Sequence, residues 1–169
     1  MNTVTFKGNE VHLCGELPAV GAEAPRFGGV RGDLSVIHLP DLRGRRVLLN
    51  IFPSLDTEVC AASVRRFNAA AAALPGVTVL CVSKDLPFAQ SRFCTVEGLD
   101  AVVAVSTFRC KCFDEKYGLA MTDGPLKGLL ARAVVVVDEA GRIVYEELVP
   151  EITSEPDYEA ALAALRGEA

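Results

Sequence analysis

The chain of 169 residues is half apolar, carries a formal net charge of −5 and contains six cysteines. A chain of this length buries a sizeable core without disulfide staples, so we expect one domain over residues 1–169. The lack of a basic run argues against nucleic acid as a partner, and no apolar segment approaches the length of a membrane span. The first residues also lack the pattern of a secretory signal, which predicts a cytoplasmic protein.

The N-terminal part of the chain shows strand and turn signals only. Short strands are predicted at residues 3–6, 11–14, 27–31 and 34–39. Lys7-Gly8-Asn9 joins the first two as a hairpin, and Gly32-Asp33 joins the other two. Cys14 is predicted to be a small buried strand residue, and His12 and His38 are interpreted as packing or surface residues.

From residue 47 onwards, strands alternate with helices. Strands are predicted at residues 47–52, 77–82, 101–105, 133–137 and 143–148, with helices at residues 57–74 and 88–98, a helical or irregular segment at 108–117, and a last amphipathic helix after residue 156. Asp85 is predicted to cap the helix that begins near Pro87. This order predicts an α/β fold with a mixed central sheet, parallel in its middle, flanked by helices and preceded by a β-hairpin.

Cys60 is the leading candidate for chemistry. It follows a buried strand and lies in the first turn of the predicted helix, near Asp56 or Thr57, either of which can cap the first amides. Unpaired amides and the positive end of the helix dipole favour a thiolate, which is the form that acts as a nucleophile. The alternative is an inert core cysteine, but Pro53 and Thr57 place a rigid turn and a hydroxyl beside the sulfur and favour the reactive interpretation.

The other cysteines carry weaker signals. Cys81 lies inside an apolar strand and is expected to be inert, whereas Cys94 lies late in the next helix. Three interpretations stay open for Cys110-Lys-Cys112: an accidental pair, an alternative thiol relay, and half of a thiolate metal site, which needs two further ligands.

Three long stretches make the chain resemble the thiol peroxidase subfamily of peroxiredoxins, which have a thioredoxin-like fold. They are residues 50–67 (NIFPSLDTEVCAASVRRF), 85–94 (DLPFAQSRFC) and 123–132 (DGPLKGLLAR). The resemblance covers nearly the whole chain. It implies a thioredoxin-dependent peroxidase that reduces hydrogen peroxide and alkyl hydroperoxides.

The resemblance also implies roles for five residues. Cys60 matches the peroxidatic cysteine of the family and Cys94 its resolving cysteine, while Pro53, Thr57 and Arg132 match the rest of its active site. It further implies a homodimer that takes electrons from thioredoxin and uses no metal, flavin or haem. An arginine always carries its charge, so Arg132 suits a site where a thiolate attacks and negative charge develops.

Two other functions compete with the peroxidase. The first is a peroxide sensor in which the same cysteines form a disulfide that changes a partner surface. The second is a thiolate metal protein built on Cys110 and Cys112, against which the lack of nearby histidines and of repeated C-x-x-C pairs argues.

Overall fold

The computed structural model describes residues 2–168. Its strands are β1 (Thr3–Phe6), β2 (Asn9–His12), β3 (Gly28–Val30), β4 (Val36–His38), β5 (Arg46–Ile51), β6 (Val77–Ser83), β7 (Val103–Ser106), β8 (Ala133–Val137) and β9 (Ile143–Leu148). Its α-helices are α1 (Glu58–Ala73), α2 (Pro87–Glu97), α3 (Lys111–Tyr117) and α4 (Tyr158–Leu165), and a 3₁₀ helix spans Leu39–Leu42.

Seven strands form one mixed sheet in the order β4-β3-β7-β6-β5-β8-β9, and β1 and β2 form a separate antiparallel hairpin. The central strands β5, β6 and β7 are parallel, because α1 and α2 cross over between them. Strand β8 pairs antiparallel with β5 and β9 pairs antiparallel with β8. The predicted mixed sheet, parallel in its middle, is confirmed.

The core has two parts, one on each face of the sheet, because successive strand residues point in opposite directions. On one face Leu48 and Val136 pack with Phe67 of α1 and Leu162 of α4. On the other face Leu49 and Val135 belong to a cluster that includes Phe113 and Tyr117 of α3. We call these the α1/α4 face and the α3 face.

Several local predictions were wrong. Cys14 is exposed and lies beyond the end of β2, so it is not a buried strand residue. Helix α1 has Thr57 at its N-cap, but neither Thr57 nor Asp56 caps it with a side chain, since the Thr57 hydroxyl donates to the Ser54 carbonyl at 3.0 Å. Helix α2 has Leu86 at its N-cap without a side-chain bond, so the predicted Asp85 cap is also wrong.

Helix α1 is the longest helix in the described part of the chain. Its buried stripe of Cys60, Val64 and Phe67 has helical spacing, while Arg65 and Arg66 are exposed. None of the helices within residues 2–168 is long and apolar enough to cross a membrane.

Candidate active site

Cys60 lies in the first turn of α1, directly beyond the carboxyl end of β5, and is fully buried. A hydrogen-bond chain fixes this turn: the Ser63 hydroxyl donates to the Cys60 carbonyl at 2.7 Å, and the buried Asn50 amide of β5 donates to Ser63 Oγ at 3.1 Å. The cysteine is therefore held rigidly against the central strand. Ser63 was not singled out from the sequence, because a serine on a helix stripe carries no signal of its own.

Arg132 comes directly before β8 and is only 1% exposed. Its Nη2 donates to Cys60 Sγ at 3.1 Å, and its Nε donates to the Ile152 carbonyl at 3.0 Å. No carboxylate of residues 2–168 forms an ion pair with this guanidinium. A buried cation is stable only with a counter-charge or full hydrogen bonding, and the side chain that this guanidinium contacts is that of Cys60.

A largely apolar cavity of about 460 Å³ reaches Arg132 of this pair. Pro53, Thr57 and Arg132 line it, together with Phe6 and Ile152. Cys60 does not line the cavity itself, but its Sγ accepts a hydrogen bond from Arg132, which does. The Nη1 atom of Arg132 has no hydrogen-bond partner in the structure, so this buried donor is left over for a ligand.

Asp85 links the loop between β5 and α1, residues 52–57, to the start of α2. Its carboxylate accepts hydrogen bonds from the Ser54 hydroxyl at 2.7 Å, the Leu55 amide at 2.8 Å and the Ser83 hydroxyl at 2.6 Å. The sequence assigned Asp85 to a helix cap, because a polar residue just before Pro87 is typical of one. Only the tertiary structure shows that its carboxylate turns towards the segment that follows Pro53.

Glu151 fastens the N-terminal hairpin beside the cavity, and sequence reasoning missed this residue too. Its carboxylate accepts from the amides of Thr153 and Gly8, both at 2.9 Å, and from the Thr5 hydroxyl at 3.0 Å. These donors, led by the Thr153 amide, lower the pKa of the Glu151 carboxyl to about 2. The hairpin thereby brings Phe6 to the cavity wall.

The structure does not bring Cys94 into this site. Cys94 lies in the last turns of α2, is partly buried, and lines a separate cavity of about 380 Å³ with Gln90 and Leu99. Burial raises the pKa of the Cys94 thiol above its ordinary value, so the thiol form is favoured. No disulfide bond joins any of the six cysteines.

The remaining cysteines differ in accessibility. Cys81 is buried in β6, and burial raises its pKa to about 12, in line with the predicted inertness. Cys110 and Cys112 are partly buried beside the α3 face. Within residues 2–168, no group of three or more His, Cys, Asp or Glu side chains is placed to hold a metal ion. The thiolate metal interpretation therefore finds no ligand set there.

Comparison with known proteins agrees with this geometry. The sequence profile of the redoxin family matches residues 19–162. A thiol peroxidase of Mycobacterium tuberculosis is 59% identical over 165 residues, which cover 98% of this chain and 99% of the relative. The chain belongs to the thiol peroxidases of the redoxin family.

Two further relatives support the assignment. A thiol peroxidase of Corynebacterium glutamicum is 56% identical over 160 residues, 95% of this chain and 96% of the relative. The crystal structure of a peroxiredoxin-like protein from Aquifex aeolicus superimposes with a TM-score of 0.94 at 40% identity, covering all of this chain and 98% of the other. The thioredoxin-like fold expected for a redoxin is thus confirmed over the full described length.

Proposed function

We propose that this redoxin reduces hydroperoxides with Cys60 as the nucleophile and Cys94 as the resolving thiol. The observation that carries the proposal is the buried hydrogen bond of 3.1 Å between Arg132 Nη2 and Cys60 Sγ. In a site without a carboxylate counter-ion for the arginine, this contact places a permanent positive charge against the sulfur that attacks the peroxide.

In the first step the Cys60 thiolate attacks one oxygen of the hydroperoxide and the O–O bond breaks. Arg132 Nη1, which has no partner in the structure, donates to the peroxide oxygens as negative charge builds on the leaving alkoxide or hydroxide. The Thr57 hydroxyl already donates to the Ser54 carbonyl, so its lone pairs accept the hydroperoxide O–H. Pro53 lines the same cavity.

The products of this step are an alcohol or water and a sulfenic acid on Cys60. The Cys94 thiol then attacks that sulfur and displaces water, which gives a Cys60–Cys94 disulfide. Because Cys60 is fully buried and Cys94 lines another cavity, we expect the two segments to move before their sulfurs can bond.

An external dithiol must then reduce the disulfide, and thioredoxin is the reductant we propose, acting on a homodimeric peroxidase. Several apolar side chains stay exposed on and near α2 and offer surface for such contacts: Leu86, Phe88, Val96 and Phe108. The six cysteines lack the spacing of a small secreted disulfide scaffold, so we place the protein in the cytoplasm.

The test is thioredoxin-coupled NADPH oxidation with hydrogen peroxide and cumene hydroperoxide. Cys60→Ser is expected to be inactive. Cys94→Ser is expected to consume one peroxide per chain and then stall, because its sulfenic acid has no resolving partner. Cys14→Ser, which removes an exposed cysteine, is the matched control and should turn over normally. Normal steady-state turnover by Cys94→Ser would show that another thiol resolves Cys60.

A further inference from the structure

Cys110 and Cys112 bring their sulfur atoms into direct contact. The two Sγ atoms share a hydrogen bond at 2.7 Å, and both residues are partly buried. A disulfide bond requires its two sulfurs side by side, and this pair already meets that condition. The proposed peroxidase cycle uses neither cysteine.

The local backbone explains the contact. Cys110 lies at the N-cap of α3 with φ −99° and ψ 83°, outside the helical region, whereas Cys112 lies inside the helix. The Cys110 amide donates to the Thr107 carbonyl at 3.0 Å, and its carbonyl accepts from the Phe113 amide at 3.2 Å. These two bonds hold the backbone at Cys110, and the two sulfurs lie in contact beside it.

The pair lies on a different face of the sheet from Cys60. Cys110 and Cys112 pack beside Phe113 on the α3 face, whereas Cys60 belongs to the cluster on the α1/α4 face. The sheet separates the two sites, so the pair is not positioned to resolve a sulfenic acid on Cys60. The interpretation of a relay to the peroxidatic cysteine thus loses its geometric basis.

The metal interpretation is also unsupported. A thiolate site for zinc needs four ligands, and within residues 2–168 no third His, Cys, Asp or Glu completes even a set of three around this pair. Asp114, one turn further along α3, is engaged in an ion pair of 2.6 Å with Lys84. Two thiols in contact without further ligands have the composition of a redox dithiol.

We propose that Cys110 and Cys112 form a second redox-active dithiol, independent of the Cys60 site, that reduces small anionic disulfides and is reversibly oxidised to an intrachain Cys110–Cys112 disulfide. The exposed side chains of Arg109, Lys111 and Lys116 supply the positive charge that attracts an anionic substrate, and they outnumber the neighbouring exposed Glu115.

The exchange balances in two steps. The Cys110 thiolate attacks one sulfur of the disulfide RS–SR, so that a mixed disulfide forms and one RS⁻ leaves. Cys112 then loses its proton and attacks the Cys110 sulfur, which releases the second RS⁻. Two thiols are oxidised, one disulfide is reduced, and the two protons pass to the leaving thiolates. The hydrogen bond with Cys110 and then burial raise the pKa of Cys112, which disfavours its thiolate and leaves the first attack to Cys110.

The experiment equilibrates the full chain in glutathione redox buffers, quenches it with an alkylating agent and analyses tryptic peptides. Trypsin cleaves after Arg109, Lys111 and Lys116. The intrachain disulfide gives either residues 110–111 linked to residues 112–116 or an uncleaved 110–116 peptide, in each case two hydrogens lighter than the reduced form. With total glutathione of about 0.1 mM, a tethered thiol at millimolar effective concentration favours the intrachain disulfide over mixed disulfides roughly tenfold or more.

Single variants and a control sharpen the result. Cys110→Ser and Cys112→Ser should each leave one cysteine that accumulates as a glutathione mixed disulfide, whereas Cys14→Ser should give the same linked product as the parent. Alkylation of both thiols under oxidising conditions, or a mixed disulfide as the main product in the parent chain, overturns the proposal. Linkage of either cysteine to Cys14 overturns it as well.

Independence from the peroxidase site has its own readout. The double variant Cys110→Ser/Cys112→Ser should keep the thioredoxin-coupled peroxidase rate of the parent while losing glutathione disulfide reduction. The peptide analysis of the parent chain detects the Cys110–Cys112 disulfide without any variant. A variant that folds poorly therefore does not affect that result. A folded double variant with lost peroxidase turnover would contradict the assigned independence.

Discussion

Helices α1 and α2 each carry one of the two cysteines proposed for the peroxidase cycle, and they are packed very differently. In α1 five residues are buried: Cys60, Ala61, Ser63, Val64 and Phe67. In α2 only Pro87 and Gln90 are buried, while Phe88 is 66% and Val96 is 78% exposed. A helix with little buried apolar surface has a small free energy of local unfolding. The proposed nucleophile is therefore on a well-packed helix, and the proposed resolving thiol is on a helix that we expect to unfold more readily.

The same contrast holds at the polar contacts. Cys60 is fixed by Arg132 on one side and by the Ser63 and Asn50 chain on the other. Helix α2 has one buried polar side chain, that of Gln90, whose Nε2 donates to Ser83 Oγ at 3.1 Å and to the Val105 carbonyl at 3.0 Å. A nucleophile reacts best when the hydrogen-bond donors around it are fixed before the reaction. A resolving cysteine, in contrast, must be able to leave its packed position and reach the nucleophile.

The largest expected effect comes from removing the charge beside the fixed cysteine. Arg132→Met should lower the second-order rate of Cys60 oxidation by about 100- to 1,000-fold, the range typical of losing a donor aimed at developing charge. Stopped-flow kinetics with hydrogen peroxide measures this rate. Arg166→Met, which removes an exposed arginine at the end of α4, is the control and should keep the parent rate. A parent-like rate in Arg132→Met would remove the arginine from the proposed mechanism.

An intermediate effect is expected in hydrogen exchange. Amides of α2 should exchange faster than those of α1 in the reduced protein, and α2 should lose protection further in the oxidised form. Gln90→Ala should weaken α2 docking by about 1–3 kcal/mol, the typical cost of leaving buried partners without a hydrogen bond. Arg92→Ala, an exposed change on the same helix, should have little effect. Equal protection of α2 in both redox forms would contradict the proposed unfolding.

The smallest expected effect concerns the pH dependence of thiol alkylation. Because burial raises the pKa of Cys94, its thiolate fraction at a given pH is lower than that of an ordinary thiol, and its alkylation rate should rise only at higher pH. Cys81, with a pKa of about 12, should be alkylated last. Exposed Cys14 provides the reference. Mass spectrometry of each cysteine between pH 7 and pH 10 checks the order, and a Cys94 rate that is already maximal at pH 7 would contradict it.

Much of the fold followed from local sequence patterns. The apolar run of β5 and the 3.6-residue stripe of α1 predicted a buried strand followed by an amphipathic helix, and the structure has both within about one residue of the expected bounds. Turn signals at Lys7-Gly8-Asn9 located the hairpin of β1 and β2. These predictions succeeded because periodicity and turn chemistry act within a few residues along the chain.

The predictions that failed concerned side chains that can form hydrogen bonds with more than one possible partner. Asp85 and Thr57 both have the chemistry of a helix cap, yet Asp85 binds Ser54 and Leu55, and Thr57 donates to the Ser54 carbonyl. Local sequence supports each alternative equally well. The observed partners lie close together because the loop between β5 and α1 packs against the loop between β6 and α2.

The sequence by itself determined the thioredoxin-like α/β fold, the position of Cys60 in the first turn of a helix, and the resemblance to thiol peroxidases. The tertiary structure decided that Arg132 is buried against Cys60 Sγ, that Cys94 lies in a separate cavity, and that the sulfurs of Cys110 and Cys112 are in contact on the opposite face of the sheet. Periodicity places a residue on an element and a face. Which groups meet across elements depends on strand order and on the burial of charge, which arise only when the whole chain packs.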